Sequence, residues 1–457
     1  MTNVEQRPSH PLTVIMSERG LSHEGIAELV RGAVAAHGLR SGADRNLVWK
    51  WKVGRQRPTA ESQRYLAEAL GVPQEVLAED AWPDWLWHAV TGARHLLQPS
   101  WSVAGTRQVL REVAGGPVDR RKFMVVSGTA LTGLGSSWAA GLDAGSVEQI
   151  VDERGAGWLT SEALDRVDAS LAGLRRLDDT FGGGELCQRA VGEFRWLTGL
   201  ADRAVCTGAT ERRLFGLITE AARLCGWCHF DATQHAAAQA FYVAGLRASV
   251  SAQDPLAGAN VVACMSYQAT WTGHYQEAVS LIDSAEEQIR RIGTPRLKAM
   301  LASRKALAYA KSDEAGACGR ALNEAENQLD RARPGDAEPD WIYYFDETTL
   351  AAWAGTCWID LRQPDRARPL IDDSLAAIDT GHVRDLSIVR ARSARAYVHG
   401  DELDLACREL TTAADLAQQT GSVLTLDSIR QARDDMARYD GESRVRELDH
   451  RLAELSA

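Results

Sequence analysis

Long apolar runs are absent from this 457-residue chain: no stretch approaches the roughly 18 residues a membrane helix needs without a charge or a break. Proline is sparse at 13 positions and apolar residues make up 45%, which excludes a disordered or collagen-like chain. Eight cysteines are too few for a disulfide framework at this length and point to a reduced compartment. The leading M-T-N-V-E-Q-R-P-S-H has no apolar segment of the kind a secretory signal carries. The expectation is a soluble, cytoplasmic protein with no membrane partner.

Catalytic signatures are missing as well. No G-x-x-x-x-G-K-[ST], G-x-S-x-G or H-E-x-x-H occurs, and no glycine fingerprint follows a strand. The run F-G-G-G at 181–184 joins helical segments and cradles no obvious phosphate. Cys225-Gly-Trp-Cys228-His229 has the spacing of covalent haem attachment, but that chemistry belongs outside the cytoplasm. No second C-x-x-C or paired His supplies a zinc site. Arg120-Arg121-Lys-Phe-Met-Val-Val has the look of a twin-arginine export signal, yet it lies over a hundred residues inside the chain and reads as a linker or packing segment. No enzyme activity, metal or cofactor is expected.

Charge is unevenly spread. The net charge is −11, from 51 basic and 62 acidic residues, which argues against a chain that coats nucleic acid over its whole surface. Residues 40–64 nevertheless hold seven basic residues against Asp44 and Glu61, a local +5. Residues 150–457 hold 35 basic and 47 acidic residues, a net −12. A small basic module ahead of a long acidic body suggests a nucleic-acid reader joined to a unit with another task.

The length allows two to four domains. Residues 1–79 read as a compact set of short helices, 80–157 as a tryptophan-containing helical linker, and 158–457 as helices separated by Gly or Pro turns with no alternating strand. The fold class is therefore all-α. In the first block Ser22 can cap a helix whose apolar face is Ile26, Ala27, Leu29 and Val30. Asp44 can cap a further helix, R-N-L-V-W-K-W-K, with Leu47, Val48 and Trp51 inward and Arg45, Asn46, Trp49 and Lys50 outward. Gly54 stops it, and Pro58-Thr59 opens a helix holding Tyr65, Leu66 and Leu70.

Leu21-Ser22, the Val48/Trp51 pair and the G-R-Q-R-P run from Gly54 to Pro58 resemble the helix-turn-helix of the XRE (lambda-repressor-like) family. The resemblance implies that the helix after Asp44 enters the major groove of double-stranded DNA, with Arg45 and Asn46 placed to read guanine and adenine edges. Trp49, Lys50 and Lys52 extend that contact, and Arg55 and Arg57 would hold phosphates. Two departures stand out: the connection over residues 31–43 is long for the motif, and Lys52 stands where many members carry Glu.

The long block repeats. A small residue, a larger one three later and a small one twelve later recur as Gly226/His229/Ala238, Ser266/Ala269/Ala278, Ala306/Tyr309/Cys318, Gly355/Trp358/Ala367 and Ala394/Tyr397/Ala406. These resemble tetratricopeptide repeats with a period near 40 rather than 34. The whole chain is similar to helix-turn-helix plus tetratricopeptide regulators of high-GC actinobacteria. That likeness implies a homodimer and a small-molecule or peptide effector bound on the concave side of a solenoid. The inward positions expected to meet it are Arg223, Trp227, Asn260, Tyr267, Trp271 and Ser303. The alternative is a tetratricopeptide scaffold that binds a protein partner and carries a degenerate helix-turn-helix.

Overall fold

The computed structural model describes residues 10–18, 21–70, 94–97, 99–115, 129–144, 159–181, 183–203, 208–333, 335–420 and 422–454, with Val72, Leu77, Trp82-Pro83 and Trp85-Leu86 besides. Arg120-Arg121, Trp87 and much of the segment read as a linker lie outside them. The described residues are helical and contain no strand, in keeping with an all-α chain. No helix among them is long and apolar enough to cross a membrane. The chain forms two compact units, residues 1–99 with 117–134 and residues 100–116 with 135–457.

The first unit is built on α1 (Pro11–Glu18), α2 (His23–Ala36), α3 (Arg45–Lys52) and α4 (Ala60–Leu70), with α2 packed against both α3 and α4. Ser22 Oγ accepts from Gly25 N at 3.0 Å and Asp44 Oδ1 from Leu47 N at 2.7 Å, so each helix starts where a short polar side chain can satisfy an open amide. The apolar series Ile26, Ala27, Val30, Val34 carries α2 to Ala36, six residues into the stretch read as connection. What remains is residues 37–44, shaped by Gly38 at φ +72° and pinned where Arg31 Nη1 donates to Ala43 O at 2.7 Å. Val48 and Trp51 are buried beneath α3, while Leu47 is only half-buried.

Four short or intermediate helices lead into the repeats: α5 (Arg94–Leu97), α6 (Val103–Gly115), α7 (Thr129–Ala144) and the long α8 (Ser161–Phe181). α9 (Gly183–Arg203) follows, and then the helices come in adjacent pairs. The pairs are α10 (Gly208–Asp231) with α11 (His235–Ala252), α12 (Pro255–Trp271) with α13 (Tyr275–Ile289) and α14 (Pro295–Lys311) with α15 (Ala315–Leu329). After them come α16 (Glu347–Asp360) with α17 (Pro364–Ala377) and α18 (Val383–His399) with α19 (Leu403–Ala417); α20 (Val423–Asp435) and α21 (Ser443–Glu454) end the array.

Each of the five sequence triads puts its small residue and its third-following residue on the first helix of a pair and its twelfth-following residue on the second. The small residues let the two backbones approach. A Cβ on Gly355 would meet Ile371 at 2.7 Å and the Ala367 carbonyl at 3.3 Å, and Ser266 Oγ reaches the Ala278 carbonyl at 2.9 Å. Seven residues beyond each small residue, the turn inside the pair holds one left-handed residue: Thr233, Gly273, Asp313, Arg362 and Asp401, with φ between +56° and +84°. Four of the five are not glycine, so the turn geometry is imposed by the packed helices rather than by local preference.

First helices of successive pairs pack on one another, and the row curls until α8 reaches α18. Asp178 of α8 accepts from Arg384 Nη1 of α18 at 2.9 Å, 206 residues away along the chain, and both side chains are under 10% exposed. Ser422 Oγ, capping α20, donates to Asp231 Oδ1 at the end of α10 at 2.5 Å. The array is thereby fastened across its open side.

Close packing at the small positions gives a direct test. A Cβ on Gly226 would lie 2.3 Å from the Tyr242 ring, whereas one on Gly216, in the same helix, meets nothing within 4 Å. Gly226→Ala should therefore lower stability by about 1–3 kcal/mol through overpacking. Gly216→Ala should hold or raise it by up to about 1 kcal/mol through helix propensity. Urea unfolding midpoints of the two variants read the difference.

Candidate functional sites

Two places gather unusual chemistry. The first is α3 and the loop after it. Arg45, Asn46, Trp49, Lys50, Arg55 and Arg57 are all exposed, and the guanidinium of Arg55 lies 4.9 Å from the centre of the Trp49 ring. Asp44, itself exposed, caps the helix and, among the described residues, is the one carboxylate beside these four cations. Lys52 is placed differently: it is half-buried, and its charge, after burial, is what lowers the proton affinity of His10 and His23. The helix thus exposes two adjacent hydrogen-bonding side chains at its N-terminal end and a cationic loop at its C-terminal end.

The second place is a cavity of about 370 Å³, partly open to solvent, within the curled repeats. Its aromatic wall is a ladder: Trp227 of α10 stacks on Tyr267 of α12 at 6.1 Å between ring centres, and Tyr267 on Trp353 of α16 at 5.9 Å. The longer connection between α15 and α16 brings in Trp341, Tyr343 and Tyr344. Arg296 Nη1 holds that connection by donating to Phe345 O at 2.8 Å. This insertion is why the repeat spacing between Cys318 and Ala367 is 49 where the neighbouring spacing is 40.

Two charged clusters border the cavity, alongside Asp346, Asp379 and Arg392 in its wall. At one, Arg223 and Arg175 grip Glu220, with Nη contacts at 2.8 Å and 3.1 Å. Burial alone would push the Glu220 carboxyl up, but the two guanidiniums outweigh it and hold it below its ordinary value. Beside them Arg304, 4% exposed, lies 4.1 Å from the Tyr267 ring centre and 3.5 Å from that of Trp353. Burial lowers its proton affinity, and among the described residues no carboxylate pairs with it. At the other pole Asp178, Asp179 and Asp385 all surround Arg384. Burial raises the Asp179 carboxyl even though the Tyr343 hydroxyl donates to it.

Of the six residues expected from the sequence to face a ligand, Arg223, Trp227 and Tyr267 line this cavity and Asn260, Trp271 and Ser303 do not. Asn260 is enclosed a turn before Cys264, and Ser303 is fully buried with its hydroxyl donating to Met300 O at 2.8 Å. Trp271 lies beyond Tyr267, with its ring edge-on to Phe230. The sequence reading missed Arg304, Trp353, Arg384 and Asp178. A signal existed for the first two: the residue two before the small residue of every triad, Leu224, Cys264, Arg304, Trp353 and Arg392, lines the cavity.

Cys225 and Cys228 are buried in α10, and burial raises both thiols well above their ordinary value, away from the thiolate that haem or metal chemistry uses. His229 stacks on Phe241 at 5.1 Å and shares a 2.8 Å hydrogen bond with Gln234.

Comparison with known families finds one match: residues 12–73, spanning α1–α4, match the SP15 N-terminal domain. No curated protein and no solved structure matches the chain.

Glu220 neutralises one of two buried guanidiniums, so Glu220→Gln should cost about 3–5 kcal/mol by leaving that charge uncompensated. Its folded proton affinity is depressed, so the stability it contributes is present above its ordinary value of 4.5 and is lost as pH falls through the folded value. Denaturation midpoints between about pH 3 and 7 should decline in acid for the native chain. For the variant that part of the acid dependence should be missing.

Proposed function

We propose that the chain is a sequence-specific DNA-binding transcriptional regulator. In this reading the tetratricopeptide-like unit binds a small-molecule or peptide effector and mediates homodimerisation in the cytoplasm. The observation that carries it is α3, an eight-residue helix that exposes Arg45, Asn46 and Lys50 while burying Val48 and Trp51. That face suits a major groove: Arg matches guanine O6 and N7, and Asn matches adenine N6 and N7. Arg55 and Arg57, exposed after the helix, are suited to phosphates. A two-fold dimer would set two such helices on half-sites about 34 Å apart.

The cavity supplies the sensing half. Its volume lies within the range of roughly 300–1,000 Å³ typical of small-molecule sites, and its wall joins aromatic area to a few placed charges. The scaffold alternative, with a degenerate helix-turn-helix, draws support from the eight residues between α2 and α3, since three or four are usual.

Selection of bound fragments from a sheared high-GC genomic library, at about 150 mM salt with the full chain, separates the two. Enrichment of a palindromic site supports the regulator; a folded chain that enriches nothing and captures a protein partner instead supports the scaffold. On the selected site, Arg45→Ala should cost about 1–3 kcal/mol and relax specificity at one position. Arg57→Ala should weaken all sequences alike and reduce the salt slope by about one. Wild-type binding by both variants would overturn the docking arrangement.

A further inference from the structure

Buried polar atoms without partners are costly, and in this chain several collect at the cavity. Arg304 Nε and Nη1, Asp178 Oδ1 and Ser374 Oγ are buried without a hydrogen-bond partner, and all three residues line it. Such groups are normally paired, and a ligand is one way to complete them. Their signs are opposite. Arg304 and its neighbours Arg175 and Arg223 set three guanidiniums against the single carboxylate of Glu220. Asp178, Asp179 and Asp385 set three carboxylates against the single guanidinium of Arg384. A simple anion would answer the first pole and leave the second in surplus; a simple cation would do the reverse.

We infer that the cavity takes a zwitterion of amino-acid origin, its carboxylate received by Arg304, its ammonium by the free oxygen of Asp178, and its apolar part by the Trp227–Tyr267–Trp353 ladder. This rests on the reading of the cavity as the effector site. The Arg304 guanidinium already lies against two rings, which limits the entropy lost when Nε or Nη1 donates to a carboxylate. A free amino acid with a large side chain and a peptide of two or three residues share this chemistry.

Equilibrium dialysis of the full chain against an enzymatic protein hydrolysate, with mass spectrometry of the bound fraction, tests it. The hydrolysate is offered intact, N-acetylated to remove the ammonium, and methyl-esterified to remove the carboxylate. The intact hydrolysate is also split by size into free amino acids and short peptides, which assigns the source. Intact components should be retained at least about tenfold over either modified form. Arg304→Gln and Asp178→Asn should each lower retention of the intact form by a similar factor. Because the modified ligands probe the native chain, the test does not depend on those variants folding. Equal retention of the acetylated or esterified material would overturn the inference. A parallel dialysis uses a bacterial metabolite extract freed of zwitterions by ion exchange. Retention from that extract alone, blocked by Ala352→Trp in the cavity wall, would overturn the zwitterion and leave the effector site standing. Retention from neither source would remove both.

Discussion

The ion pair between Asp178 and Arg384 is the constraint on which the repeat unit depends. Stacked helix pairs contact only their neighbours, so their packing sets a curvature but gives no reason to close. Here two residues about two hundred positions apart meet at 2.9 Å, nearly excluded from solvent, and join the first long helix to the fifth pair. Arg384 is held charged: burial opposes its proton, and Asp178 with Asp385 more than restores it. A buried pair of this kind adds little net stability against an apolar replacement, yet breaking one side is expensive. Its consequence is geometric, since with the Ser422–Asp231 bond it joins the two ends of the curled row beside the cavity.

That fastening also explains why the cavity is polarised. Closing the row brings the carboxylates of α8 and α18 to the same cavity as Arg175 of α8, Arg223 of α10 and Arg304 of α14. Burial of Arg304, Asp178 and Arg384 weakens the screening of these charges by water. An occupant that engages both charged clusters would favour the closed row over an open one, and only such a difference in affinity can shift a shape equilibrium. We propose that the acidic body senses and the basic N-terminal module reads.

Much of the fold was legible because its determinants are local and periodic. The five triads each fell on a helix pair, since a backbone-to-backbone approach demands small residues at fixed separation, as Ser266 with Ala278 and Gly355 with Ala367 illustrate. Asp44 and Ser22 marked helix starts because capping is a matter of three residues. The cavity was legible only in part. Trp227 and Tyr267 were found as aromatics on first helices, but Ser303 is one residue out of phase with Arg304, and Asn260, a turn before Cys264 on the same face, is enclosed by packing. Arg304 stands in a helix of small apolar residues, where a long cation is conspicuous, yet its partner rings come from α12 and α16. Asp178 and Arg384 carried no local signal, because their pairing is a property of the closed array alone. Lys52 was read among the DNA-contacting residues, although the helix turns it back toward His10 and His23.

The most direct test of the account is the affinity of the full chain for its selected DNA site when the closure is broken at Arg384. Arg384→Met leaves three neighbouring carboxylates without their cation and should loosen the closure while the residues of α3 stay untouched. With helical content by circular dichroism unchanged, the account predicts a clear change in DNA affinity at constant salt, in step with loss of cavity binding. DNA binding identical to the native chain, in a variant that has lost its cavity ligand, would contradict the link between the two units.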